Sequence, residues 1–469
     1  MIKKTLSGIE EHSHHTPFFS ARKTLKQYVS GGNVLIAATV LALIAANIPG
    51  INDAYFSFWN QEVRLQIGDF NIFSHSGHPM NMLSFINDAL MAIFFFSIGL
   101  EIKREILVGE LSSVRQALLP IIAAVGGMAV PLFIFFSLSS GTEYIDGAAI
   151  PMATDIAFSL GILGMLGTRV PTSLKIFLTT LAVVDDIGGI IVIAVFYSSH
   201  IEAMLLVYAL IILAILFIGD RLSVQSKMFY FLLGGIVWFL FLNSGIHPTI
   251  AGVLVAFCVP ATPVYAPRKY IKQIRKAIGF FRQEDDEVLN AKTILTHEQM
   301  DWLKQIESAS DKVISPLQDM DDTLHPVVNY LIIPLFAFAN AGIFLLDMNP
   351  ASIFEGVSLS IIISLVIGKF LGIFLFSFAT VKLRLAPMPD FTNWKMIASV
   401  AVLGGIGFTV SLFIANLSFS GPGEADLLSH SKLGIVTGSF IAGILGFILL
   451  HKTLPKPGSI PDDEPEEKE

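Results

Sequence analysis

Long apolar runs alternate with short polar connections along nearly the whole chain. Runs long enough to cross a bilayer as helices fall at about 33–50, 83–107, 115–139, 147–167, 174–198, 203–219, 229–243, 246–262, 324–346, 355–381, 394–418 and 430–453. Those between 203 and 262 are the shortest. The pattern predicts an all-α polytopic membrane protein of about twelve transmembrane helices. It divides the chain into a cytoplasmic N-terminal segment (1–32), a transporter-sized membrane domain (33–453) and a disordered, acidic, proline-containing cytoplasmic tail (454–469).

Three polar stretches interrupt this pattern. Between the first two runs, residues 63–73 alternate around Gly68-Asp69, which reads as an exterior β-hairpin. An isolated hairpin is marginal in water, so the alternatives are pairing with the same hairpin of a second copy or an ordered loop. A linker over 263–323 sets Ile271, Ile274, Ile278 and Phe281 among Lys269, Lys272, Arg275 and Lys276, the pattern of a helix lying on an anionic membrane face. The acidic run that follows, Glu284 to Glu287, reads as a solvated face. The polar, basic lead (Lys3, Lys4, Arg22, Lys23, Lys26) argues against a cleaved signal peptide.

Charge tests the span count. Of the 30 lysines and arginines, with the N-terminus placed in the cytoplasm, only Arg64 and Lys432 fall in exterior connections and only Lys369 inside a span. The positive-inside rule therefore supports twelve spans with both termini cytoplasmic. Exterior connections carry Glu143, Asp146, Glu202, Asp347, Glu424 and Asp426 instead. Composition agrees: 53% of residues are hydrophobic and 14% charged, where soluble proteins carry about a quarter charged. The lone cysteine, Cys258, excludes an internal disulfide and a cysteine-based metal cluster. No nucleic-acid motif, phosphate-binding loop or dinucleotide fingerprint stands out, and no cofactor is implied.

Charges inside the spans carry the candidate chemistry. Asp185 and Asp186 are central in the fifth run, Asp155 in the fourth and Lys369 in the tenth; Asp88 opens the second, nearer the surface. A charge at mid-bilayer costs about 2.5–3.5 kcal/mol on insertion scales. One Asp–Lys pair reads equally as a structural lock between helices. Three carboxylates facing one lysine cannot all be neutralised in pairs, so at least one holds a proton or a mobile cation. Adjacent aspartates resist double ionisation and titrate as a coupled pair. Two carboxylates, the Thr154 hydroxyl and backbone carbonyls offer the oxygen ligands a hard cation needs. A site that holds either protons or a cation, open to one side at a time, is an exchanger.

The backbone near these charges is interrupted. Pro151 precedes Asp155, with Gly161, Gly164 and Gly167 weakening the second half of that span, and Gly404-Gly-Ile-Gly-Phe-Thr-Val-Ser411 does the same in the eleventh. Such glycines serve close helix packing or a broken helix whose ends bind ions. The units 115–198 and 355–453 each place their glycine-broken helix in the middle and run in opposite orientations, the pattern of an inverted three-helix repeat.

Several segments together resemble a known family: Ala153-Thr-Asp-Ile-Ala-Phe158, Val184-Asp-Asp-Ile-Gly188, Leu335-Phe-Ala-Phe-Ala-Asn-Ala-Gly342, Ile367-Gly-Lys369, Gly404-Gly-Ile-Gly-Phe-Thr409, Asn87-Asp-Ala-Leu-Met-Ala92 and Gly99-Leu-Glu-Ile-Lys-Arg-Glu105. They look like NhaA-type sodium/proton antiporters over nearly all of 30–453. The resemblance implies no enzyme but an electrogenic, pH-regulated exchanger of sodium, and lithium, for protons in the cell (inner) membrane. It implies Asp186 as the principal sodium ligand, Asp185 beside it exchanging a proton and pairing with Lys369, and Asp155 and Thr154 at the crossing of two broken helices. It also implies a homodimer joined through the exterior hairpin. The pH response maps onto Glu101, Arg104, Glu105, Asp321 and His325. Two departures are visible: Asp322 stands where a histidine is usual, and the 263–323 linker is longer than usual.

Other readings of the charged residues are an intramembrane aspartyl hydrolase built on Asp155 and Asp185, a retinal photoreceptor with Lys369 as Schiff-base lysine, and the same scaffold carrying potassium or acting as a channel. Asp185 follows Val183-Val184, not the glycine-rich approach the hydrolase needs, and twelve spans argue against the photoreceptor. The change of ion is the reading least separated by sequence.

Overall fold

The computed structural model describes residues 31–263 and 313–455, apart from 68–69, 72, 76–77, 199–200, 346–349 and 422, together with scattered residues of 268–307. Almost all of the N-terminal segment, most of the 263–323 linker and the tail after Pro455 lie outside the described residues.

The chain is a helical membrane bundle. Helix α1 (Gly31–Asn47) turns through 113° into α2 (Asn52–Trp59). The turn falls at Ile48-Pro49-Gly50, where Gly50 takes φ +85, a conformation that favours glycine. Two antiparallel ladders follow, β1 (Gln66–Ile67) with β2 (Phe70–Asn71) and β3 (Ser74–His75) with β4 (His78–Pro79). Each strand has only two residues, so the pairing is much shorter than the alternation over 63–73 suggests. Helix α3 (Met82–Val108) starts where the Asn81 side chain accepts from the Ser84 N–H at 2.7 Å.

Next come α4 (Val114–Ser139), a 3-10 helix (Ile145–Met152) leading into α5 (Ile156–Met165), α6 (Thr172–Phe196), α7 (Ala203–Arg221), α8 (Lys227–Ser244) and α9 (Thr249–Phe257). The second half holds α10 (Pro316–Asn340), α11 (Gly356–Lys382), α12 (Trp394–Leu403), α13 (Phe408–Ser418) and α14 (Ala425–Thr453). Among the described residues nine helices are long and apolar enough to cross a membrane, or up to 11 when each bent pair is one span. Helix α9, in the eighth predicted run, has only 9 residues, so the helices of that length among the described residues stop short of the predicted twelve.

Two spans are broken. The 3-10 helix and α5 are separated by extended backbone at Ala153 and Asp155, and α12 and α13 meet at 43° across Gly404–Gly407. The glycines predicted to weaken the fourth span do something else. Gly161 packs against Gly32 of α1, where an added Cβ would lie 3.2 Å from the Gly32 Cα, and α5 runs through Gly161 and Gly164 without interruption. The break lies upstream, just after Pro151.

Two features bring the charged residues together. Helices α4 and α11 approach almost backbone to backbone: a Cβ on Gly126 would sit 2.5 Å from the Gly372 carbonyl. A π-helical turn, Ser364–Gly368, ends immediately before Lys369; such single turns re-aim the residues beside them. The larger apolar core surrounds the broken helices, and a smaller one joins α3 with α7, α8 and α9.

Candidate ion-binding site

Asp185 and Asp186 sit in the middle of α6, and neighbours on a helix point about 100° apart. Asp185 therefore meets one set of partners and Asp186 another. Lys369 pairs with Asp185 Oδ2, and both side chains are fully buried. The Thr154 hydroxyl joins them, 2.6 Å from Asp185 Oδ2, 2.9 Å from Lys369 Nζ and 3.0 Å from the Gly404 carbonyl. With one proton to give, it accepts from the ammonium and donates to either the carboxylate or that carbonyl.

Asp155 holds the crossing of the two breaks. Its backbone N–H donates to the Ile406 carbonyl at 2.6 Å, tying one break to the other. Its Oδ1 accepts from the Phe158 N–H at 3.0 Å, capping α5. Its Oδ2 accepts from the Thr409 N–H at 3.1 Å and the Thr409 hydroxyl at 2.6 Å, capping α13. A single carboxylate thus satisfies free N–H groups at two helix starts, where the helix dipole favours negative charge. At the opposite ends the Ser411 hydroxyl donates to the Ile150 carbonyl at 2.7 Å and the Thr154 hydroxyl reaches Gly404.

Asp186 has no such clasp. It is 4% exposed, and its Oδ1 finds no hydrogen-bond partner among the protein groups; Asp185 Oδ1 is likewise unpartnered. Asp186 lines a cavity of about 770 Å³ with Thr154, Asp155 and Thr409, and the same cavity reaches Glu101 and His325. Beside it Arg104 pairs with Asp321 at 2.5 Å. Glu105 turns away, accepting from the Glu110 N–H at 3.1 Å. The His325 ring lies 3.1 Å from the Asn329 amide.

The structure therefore gathers Asp155, Thr154, Asp185, Asp186 and Lys369 at one crossing, with Glu101 and His325 along the cavity. Sequence reasoning gave no role to two further residues. Thr409 appeared only as part of a motif, though a hydroxyl residue just past a glycine break is a capping signal. His247, whose Nε2 lies 3.6 Å from Asp88 Oδ1, was signalled only as a polar residue at the start of the eighth apolar run, in Gly245-Ile-His-Pro248.

The family model described as Na+/H+ antiporter 1 matches residues 22–450. The chain belongs to this antiporter family. It is 52% identical over 439 residues to a sodium/proton antiporter NhaA of Phocaeicola vulgatus, covering 93% of this chain and 97% of the relative. To the one from Bacteroides fragilis it is 51% identical over 429 residues (91% and 96%), and to the one from Porphyromonas gingivalis 45% over 421 residues (90% and 93%). Membership of the Na+/H+ antiporter 1 family fits a multi-pass membrane transporter and not the hydrolase or photoreceptor readings.

Proposed function

We propose that this family member exchanges sodium for protons at Asp186 and Asp185. The observation that carries the reading is the asymmetry of the aspartate pair: Asp185 is paired with Lys369, whereas Asp186 faces the cavity with an unpartnered carboxylate oxygen. A buried, unpaired charge is costly, so Asp186 needs either a proton or a cation. Among the described residues no three His, Cys, Asp or Glu side chains are arranged to hold a metal ion between them, so a sodium ion there would complete its oxygen shell from Thr154 and backbone carbonyls. Sodium drawn to Asp186 and Asp185 competes with their protons and with the Lys369 ammonium. Loss of the ion lets the protons return.

In this reading the cavity is the cytoplasmic access path, and alternating access exposes the pair to the exterior in turn. More protons than sodium ions move per cycle, which makes transport electrogenic, and lithium follows sodium. Glu101, Arg104, Glu105, Asp321 and His325 line or flank the access path and set its pH response. The protein resides in the inner membrane with both termini cytoplasmic and twelve spans, the 9-residue helix α9 among them, built on an inverted repeat. Two copies join through residues 63–73.

The test is proton movement in everted vesicles or proteoliposomes on addition of sodium, lithium or potassium. Sodium- and lithium-driven movement that disappears in Asp186→Asn, with the variant still folded, supports the assignment. Movement with potassium alone keeps the exchanger and changes its ion. Normal sodium-driven movement in Asp186→Asn sinks the site.

A further inference from the structure

Three asparagines outside the ion site form an unbroken chain across three helices. Asn340 of α10 donates its amide to Asn87 Oδ1 of α3 at 2.9 Å, and Asn416 of α13 donates to Asn340 Oδ1 at 2.9 Å. Asn340 is fully buried, and the same amide donates to the Phe336 carbonyl at 3.0 Å. Each asparagine stands about seven residues from a cavity-lining residue of its own helix: Phe94, Ile333 and Val410. At 1.5 Å per residue the chain lies roughly 10 Å past the cavity. It lies toward the start of α3, where the β ladders are, whereas Glu101 and His325 lie toward the opposite end.

At the edge of the cavity that faces this chain the same three helices stack rings. Phe413 of α13 packs on Phe95 of α3 at 5.6 Å and on Phe336 of α10 at 6.4 Å, and all three are 2% exposed or less. The path from Asp186 toward the ladder side is thus closed by an aromatic layer and then an amide layer. Both layers join α13, whose start is clasped by Asp155 of the ion site, to α3 and α10.

We infer that Asn87, Asn340 and Asn416, with Phe95, Phe336 and Phe413 behind them, are the gate that closes the ladder-side route to the ion site. Hydrogen-bonded amides suit a gate: they hold a fixed geometry when closed, yet each finds water when parted, so opening strands no charge. Opening on that side separates α13 from α10 and breaks the Asn340–Asn416 bond. The inference rests on the alternating-access reading above for its role in transport, but not for its test.

The test is access of a membrane-impermeant maleimide to a cysteine in the cavity, Ser97→Cys, in a Cys258→Ser background. The reagent is applied separately to each membrane face. The parent should label readily from the cavity side and slowly from the ladder side. Asn416→Ala and Asn340→Ala should each raise ladder-side labelling roughly fivefold, the factor set by one lost buried hydrogen bond. Asn416→Ser serves where Asn340→Ala does not assemble. Asn47→Ala is the control: Asn47 makes three comparable bonds, to Leu43, Ile343 and Leu345, without touching α13. Fast ladder-side labelling of the parent, no change in the asparagine variants, or an equal rise in Asn47→Ala would overturn the gate. A parent that labels as expected but moves no protons on sodium addition keeps the gate and removes the ion assignment.

Discussion

Asp155 accepts both the backbone N–H and the hydroxyl of Thr409, so the carboxylate that caps α5 also caps the start of α13. The two broken helices are held by a single acidic side chain. The acceptor oxygens that this crossing needs come from the fold itself, both supplied by Asp155.

Removing that clasp should cost more than removing either half. Asp155→Ala loses two caps and leaves buried donors at both helix starts, a cost of about 2–4 kcal/mol. Thr409→Val removes only the hydroxyl bond and should cost about 1 kcal/mol. Thermal unfolding in detergent should therefore rank the parent above Thr409→Val and Thr409→Val above Asp155→Ala. Equal melting of the two variants would contradict the double cap.

Lys369→Ala should be more damaging than Asp88→Ala. The first leaves Asp185 buried beside Asp186 with no cation, a loss of about 3–5 kcal/mol when a buried pair is broken. The second removes only a loose 3.6 Å contact to His247, whose ring keeps its Thr249 hydroxyl partner at 2.8 Å and its packing on Phe413. Comparing the two melting temperatures decides the matter, and a lower value for Asp88→Ala would count against the Lys369–Asp185 lock.

Thr154 connects lysine, carboxylate and a broken-helix carbonyl through one hydroxyl. Thr154→Val keeps the shape and removes a bond to a charged group, a loss of about 1.5–3 kcal/mol. The apparent KM for sodium in vesicles should rise roughly tenfold or more, while Thr154→Ser should remain close to the parent. An unaltered KM in Thr154→Val would remove the hydroxyl from the site.

Glycines of the two broken spans should separate by what they face. A Cβ at Gly405 would lie 2.5 Å from the Leu365 carbonyl, a backbone atom with nowhere to go. Gly405→Ala should cost about 1–3 kcal/mol. Gly164, inside α5, meets nothing within 4 Å, so Gly164→Ala should gain up to about 1 kcal/mol of helix propensity. Monodispersity and melting of the purified variants read out both, and similar behaviour would refute the assignment of roles.

How much of this was legible beforehand follows from where each signal resides. Asp155, Asp185, Asp186 and Lys369 stand out in one dimension because a charge in a long apolar run is costly wherever the helix packs. The two interrupted spans were legible from proline and glycine for the same local reason. The roles of individual glycines were not: Gly161 serves a contact with Gly32, a residue more than a hundred positions away, and only packing reveals that. The Asn87–Asn340–Asn416 chain was invisible, since an asparagine near a helix end is ordinary until two others arrive beside it.

The sequence by itself determined that the chain is a multi-pass membrane protein with surplus acid in its interior, because hydropathy and charge cost act residue by residue. The residues taken alone left open which carboxylate takes the lysine; the family resemblance pointed to Asp185, and the tertiary structure brings Lys369 to it. Asp185 and Asp186 are chemically identical neighbours, and their difference arises only when α4 and α11 pack close enough to bring Lys369 to one of them. The other is left facing the cavity because helical geometry turns it about 100° away.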